Sequence, residues 1–377
     1  MPAAVALAAA ALLGAATGSF GVCGPFADVN DPTFCPYVLE ILYFGITTGT
    51  TPTTYSPSDG VSRLQMAAFL SRTVDGVARR KAPRASLRQT WTTQNALALA
   101  QTSVGRTPKF LEADGMDVWV SNTGESSISR VRSANGNYLE TWTGADSPGR
   151  VLVAMGRVLV PGATLPGRLY SIDPAGSAGV VTTVASNIGQ PAEGITFDGG
   201  RVWTVGGGAV AIITPQAAVP WTVTTITTGF DLPVAALYDG SNVWVTDDGL
   251  NRLLKVNSAG AVLQSVTVGT LPEQPTFDGT NIWVPNFDPP SVSVVRASSG
   301  AVLATLTGSG LLGPVGSAFD GTRVLVTDFT ASKVWLWKAA DLTPLGSFPV
   351  GSGPQGACSD GVRFWIALPD SGKIARF

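Results

Sequence analysis

Histidine is absent from all 377 residues, and that gap closes several chemical routes at once. It removes imidazole general acid–base catalysis, Ser-His-Asp and Cys-His nucleophile systems, and imidazole metal ligation. Cysteine is nearly absent: Cys23, Cys35 and Cys358 are the whole complement, and their spacing is not of the zinc type. Charged residues make up only 13% and the formal net charge is −2, which gives no reason to expect a nucleic-acid partner. No transmembrane span is expected either. Residues 3–17 are apolar and rich in alanine, but the run is too short for a spanning helix. It has the length of a signal-peptide core without the basic flank. Two readings stand, an export signal over residues 1–22 or an Ala-rich helix of the mature chain. Export would place Cys23 and Cys35 in a compartment where they can pair as a disulfide. Cys358 reads as a small buried hydrophobe.

What the chain does have is turns and short β-prone runs. Hydrophobic residues reach 45%, with 44 Gly and 26 Pro, which suits a turn-dense, mainly β protein and argues against disorder. The organising stretch is Phe277-Asp278-Gly279-Thr280-Asn281-Ile282-Trp283-Val284. Asp-Gly favours a tight turn because Gly takes positive φ freely and Asp tolerates it, so the octapeptide reads as strand, turn, strand. Copies carry their glycines at 115, 156, 199, 240, 279, 321 and 361, with Met155-Gly156 the weakest. Successive gaps are 41, 43, 41, 39, 42 and 40 residues, a period typical of a β-propeller blade. A second strand pair follows each anchor, as in Leu253–Val256 and Val262–Val268. Residues 91–377 are therefore expected to form a seven-bladed propeller of four-stranded blades. Only one strand, residues 373–377, follows the last anchor, and an orphan strand lies at 97–105. This N-terminal strand is expected to complete the last blade and close the ring, leaving no open sheet edge.

Before the propeller the sequence changes character. Tyr37–Phe44 has a helical pattern ended by Gly45, and a second helix is expected over residues 62–73, where Ser62 and Gln65 fit a capping box. Phe26-Ala27-Asp28-Val29, Gly45-Ile46-Thr47-Thr48-Gly49, Tyr55-Ser56-Pro57 and Val61-Ser62-Arg63 followed by Met66-Ala67-Ala68-Phe69-Leu70 carry a resemblance. Over residues 23–73 the chain resembles an S-layer homology module, in a single divergent copy. The resemblance implies a small helical unit that binds cell-wall polysaccharide. It leaves Arg63 as the residue to meet an anionic polymer, since a guanidinium is a planar, permanently charged fork of donors. Residues 74–90, with Arg79, Arg80, Lys81, Arg84 and Arg88, read as a basic linker.

On the propeller, the loops between repeats and the loops after the Trp-bearing strand should open on one face. Asn122, Glu193, Asp247, Asp248, Glu273, Asn286, Asp288, Asp328 and Gln355 are the candidate ligand-binding residues there. Glu273, Asp247, Asn286 and Asp328 are those that could hold a metal, with Ca²⁺ the ion suited to oxygen donors. The competing reading is that Asp and Asn after a strand cap their own turns. No catalytic residue and no required cofactor emerge. Trp119, Trp203, Trp244, Trp283 and Trp365 share one register and are expected to pack blade against blade, whereas Trp221 falls outside it and is a candidate surface contact. The repeats, most clearly Asp247-Asp248-Gly249-Leu250-Asn251-Arg252-Leu253-Leu254-Lys255-Val256, resemble the YVTN/NHL-like propellers, which include virginiamycin B lyase-like and gluconolactonase-type proteins. Lyase members of that group need a catalytic histidine, which this chain lacks. The resulting expectation is a secreted or cell-surface binding and scaffolding propeller, non-catalytic, taking a protein or carbohydrate ligand. A metal-dependent hydrolase or lactonase and a self-assembling surface-layer protein are the alternatives.

Overall fold

The computed structural model describes residues 100–377 except 190, 191 and 309, together with 26–31, 49–51, 53–61 and single positions nearby. The chain divides into two compact units, Met1–Asn95 and Ala96–Phe377.

The larger unit is seven four-stranded antiparallel sheets. Blade 1 runs Pro108–Ala113, Asp117–Asn122, Ser127–Arg132 and Tyr138–Thr143, in that spatial order. The expected Asp-Gly turns join the first two strands of the blades. Gly115, Gly199, Gly240, Gly279, Gly321 and Gly361 all have φ between +80° and +96°, the region a side chain resists. Blade 7 takes Ala357–Ser359, Phe364–Leu368 and Lys373–Arg376 from the C-terminus, and its fourth strand is Ala100–Ser103. Thr102 pairs with Ile374 and Ala100 with Arg376, so the expected closure is observed.

Burial grades outward along each blade. Second strands such as Asn281–Asn286 are buried at every residue, because both faces meet neighbouring blades. Fourth strands such as Val302–Leu306 are half-buried or exposed throughout. The core is therefore a set of inter-blade layers: Trp244 of blade 4 packs with Ile282, Val284 and Val295 of blade 5. The five in-register tryptophans are fully buried. Trp221 departs from expectation. It is 8% exposed, joins the layer containing Leu169 and Val184, and donates its indole N–H to the Gln216 carbonyl at 3.0 Å. A large ring outside the common register thus packs into the layer between blades 2 and 3.

In the smaller unit, the Asp28 carboxylate accepts the backbone N–H groups of Tyr55 (2.8 Å) and Ser56 (2.6 Å), which hold it below its ordinary pKa, Tyr55 first. Phe26 is buried beside Tyr55, ring centroids 5.6 Å apart. Cys35 is disulfide-bonded and Cys358 is free. Cys23, the expected partner of Cys35, lies outside the described residues, as do Arg63, the 1–22 apolar segment and the 74–90 linker. Cys35, Val38, Ile41 and Met66 are helical, but no α-helix is bounded among the described residues, and most of the helical module expected over 23–73 lies outside them. No helix among them is long and apolar enough to cross a membrane.

Candidate functional site

The antiparallel pairing of first and second strands sets the geometry of the funnel. Pro108 pairs with Asn122, Pro233 with Asp247 and Pro314 with Asp328. The loop entering each blade therefore lies beside the loop leaving its second strand, and both open on one face, as expected.

The polar residues ending the second strands turn inward to their own blades. Asp247 accepts the N–H groups of Asp231 (2.9 Å), Leu232 (3.1 Å) and Leu250 (3.0 Å). Asp328 accepts those of Leu312 (2.9 Å), Gly313 (2.9 Å) and Ala331 (2.8 Å), and the Trp335 indole at 3.1 Å. Asn122 donates to Ser127 and Ser129 (3.0 and 2.9 Å), and Asn286 to Ser291 and Ser293 (3.1 and 3.0 Å). All four are fully buried; the two aspartates hold their own loops, whereas the two asparagines bond serines of the third strand and the Oδ1 of each has no hydrogen-bond partner. Asp288 is exposed. Asp248 has a buried carboxylate oxygen without a hydrogen-bond partner, and burial, then the neighbouring Asp247, raises its pKa. Asp247, Asn286 and Asp328, named for a metal beside Glu273, thus sit in three different blades, each bonded within its own blade. Among the described residues no three carboxylate or thiol side chains converge on a metal position.

Glu193, Glu273 and Gln355 do meet, at the mouth of the central channel. Each lies six residues before its anchor glycine. The equivalent positions in the other blades are Lys109, Arg150, Val234 and Val315, and all seven line one cavity of about 300 Å³. Lys109 and Arg150 were not anticipated from the sequence, although the offset of six that finds them is readable there. Lys109 pairs with Glu193 at 3.1 Å. Arg150 is 8% exposed; its guanidinium lies 4.6 Å from the Phe110 ring centroid and donates across the ring from blade 2 to the Gln274 side chain of blade 5. Its Nε has no hydrogen-bond partner. Burial lowers the Arg150 pKa, and the charges of Glu273 and Glu193 oppose this. Burial raises that of Glu273, Arg150 lowers it, and Asp248 raises it again.

Below this collar lies a second cavity of about 460 Å³. Phe110, Arg150 and Gln274 line both cavities and so form a septum between them. Three residues before each anchor, a second ring faces the lower chamber: Glu112, Thr196, Thr276 and Cys358 among apolar positions. Glu112 accepts the N–H of Ala113 at 3.2 Å. It is half-buried by exposed area, and desolvation raises its pKa to about 7.

No protein-family model and no curated protein matches the chain. Solved structures do. Virginiamycin B lyase from Staphylococcus aureus superposes with a TM-score of 0.62 at 16% identity, covering 74% of this chain and 98% of that one. Kuenenia stuttgartiensis hydrazine synthase gives 0.62 at 15%, over 75% and 98%. The WD40 propeller domain of Doa1 gives 0.61 at 11%, over 74% and 95%. Identities this low show the propeller fold and no activity.

Proposed function

We infer that the protein is a non-catalytic binding propeller, exported and held at the cell surface by its N-terminal segment, and that the channel collar is its ligand-contacting end. The observation that carries the binding reading is the contrast on the funnel face. Asp247 and Asp328 are consumed by backbone donors, whereas Lys109, Arg150, Glu193 and Glu273 gather at one level around an opening. Two cations and two carboxylates beside Phe110, Phe287 and Phe329 suit a ligand with both donors and acceptors on an apolar body, such as a protein loop or a carbohydrate. Surface placement draws its support from the apolar run at 3–17 and from the S-layer homology resemblance at 23–73.

Co-sedimentation with purified cell-wall sacculi tests the tether, comparing the full chain with residues 96–377. Pelleting of the full chain alone is expected, with the propeller as displayed cargo. Pelleting of both would move wall recognition to the propeller, and pelleting of neither would overturn the tether. The collar is tested separately by Lys109→Met with Glu193→Gln, an uncharged pair, which should abolish capture of any ligand isolated on the wild-type protein.

A further inference from the structure

The four charged side chains of the collar are not alike. Lys109 and Glu193 satisfy one another, the ammonium lying 3.1 and 3.3 Å from the two carboxylate oxygens. Arg150 and Glu273 line the same cavity, yet neither forms an ion pair, with the other or with any described residue. Arg150 is buried and uses a single side-chain donor, Nη1, which bonds the Gln274 side chain. Its Nε is buried without a partner, and Nη2 has none among the described residues. Nε and Nη2 form one edge of the planar guanidinium, the edge that a carboxylate can take with both oxygens. A buried cation with that edge unmade is unfavourable, and arginine cannot escape by losing its proton. The Glu273 carboxylate likewise accepts no hydrogen bond from any described residue. Two rings complete the cavity: Phe287 and Phe329, each the residue after a second strand, in blades 5 and 6.

We propose that the collar binds a free aromatic α-amino acid, a small zwitterion with a carboxylate and an ammonium on one carbon. The carboxylate takes the open edge of Arg150, the ammonium meets Glu273, and the ring lies against Phe287 and Phe329. One ligand thereby supplies a partner to each of the two charges that the protein leaves apart, which a singly charged molecule cannot do. The cavity of about 300 Å³ sits at the small end of small-molecule sites, in keeping with a ligand the size of one residue. This inference rests on the collar being the ligand-contacting end and narrows what it takes; it is independent of the wall tether.

The test is calorimetric titration of the full chain at neutral pH with L-phenylalanine and two analogues. Phenethylamine lacks the carboxylate and 3-phenylpropanoate lacks the ammonium. Each analogue forfeits a charge-assisted contact, so L-phenylalanine should bind at least about tenfold more tightly than either. Glu273→Gln keeps the shape and removes the charge. It should weaken L-phenylalanine and phenethylamine about tenfold and leave 3-phenylpropanoate bound as well as before or better. Arg150→Lys keeps the charge and loses the fork, so it should weaken L-phenylalanine and 3-phenylpropanoate and spare phenethylamine. Near-UV circular dichroism checks folding; should Arg150→Lys not fold, the ligand series and Glu273→Gln decide. L-phenylalanine binding no tighter than its analogues overturns the proposal, as does a Glu273→Gln loss equal for L-phenylalanine and 3-phenylpropanoate. Binding that survives both variants places the site outside the collar and overturns it too. If no compound of the series binds while Lys109→Met with Glu193→Gln still abolishes capture of another ligand, the zwitterion inference falls and the collar reading stands.

Discussion

At five of the Asp-Gly turns one carboxylate serves two backbone N–H groups and an indole, and the geometry repeats closely. Asp278 accepts the N–H groups of Thr280 (2.8 Å) and Asn281 (2.6 Å) through one oxygen and the Trp283 indole (2.8 Å) through the other. Asp114, Asp198, Asp239 and Asp360 hold Trp119, Trp203, Trp244 and Trp365 at 2.7–2.9 Å in the same way. The turn residue is therefore also the partner that lets a fully buried indole keep a hydrogen bond. Asp278→Ala should cost about 2–4 kcal/mol in urea unfolding, because a buried donor and two backbone N–H groups lose their acceptor. A double-mutant cycle with Trp283→Phe should return a coupling of about 1–2 kcal/mol. Additive losses would show that the indole bond contributes nothing. Glu112 gives a residue-scale prediction of opposite sense. Its folded pKa, about 7, lies above the ordinary 4.5, so the folded state holds the proton more tightly and loses stability as pH rises between those values. The loss has a ceiling of about 3 kcal/mol from the size of the shift, reduced by channel solvent. Relative to wild type, Glu112→Gln should thus gain stability from pH 4 to pH 8 in denaturant titrations. A constant difference would contradict this.

At the scale of strands and blades, what repeats was legible and what varies was not. The anchors announce themselves because a tight turn needs Gly at positive φ, which recurs in all seven blades, and a buried Trp needs its Asp five residues earlier, which recurs in five of them. The channel positions obey no such rule. Their side chains differ from blade to blade, so Arg150, in the weakest repeat, carries no local mark. Asp247 and Asp328 drew notice as polar residues after a strand, yet their oxygens are taken by backbone N–H groups; composition alone cannot separate a capped turn from a ligand. The offset of six from each anchor glycine does separate them, since residues at one offset share one height on the channel wall. The closing strand was legible by counting, because blade 7 lacked a fourth member. Its stability contribution is testable: a chain beginning at residue 105 loses the pairs from Ala100↔Arg376 to Ser103↔Lys373 and the 2.6 Å bond from Thr102 to the Gly136 carbonyl in blade 1. Against a chain beginning at residue 96, it should be less stable by about 2–4 kcal/mol and should scatter light on heating, because the third strand of blade 7 becomes an open edge. Equal melting of the two chains would show that the ring does not depend on this closure.

Taken as a whole, the molecule is a ring held by contacts between neighbouring blades, and few groups reach across its axis. Arg150 is the clearest of them, joining blade 2 to blade 5 through Gln274 while stacking on Phe110 of blade 1. This one side chain thereby stands at the boundary of the channel's two cavities, and it is the larger of the two positive charges, with Lys109, that act on Glu273. Replacing it by leucine keeps apolar bulk over Phe110 but leaves the Gln274 acceptor without its donor and removes the larger of the two positive charges acting on Glu273. Breaking a buried charge arrangement from one side is costly, so Arg150→Leu should destabilise the propeller by about 2–4 kcal/mol at neutral pH. It should also raise the Glu273 pKa further, because the arginine now lowers it. The two effects share a sign test. With the cation gone, protonating Glu273 relieves the mouth, so the penalty should shrink as pH falls from 7 to 5. Urea unfolding of both proteins across that range measures it. A penalty that stays constant with pH would assign the cost of Arg150→Leu to packing and to Gln274 alone, and would leave the septum a mechanical partition with no electrostatic hold on the carboxylates above it.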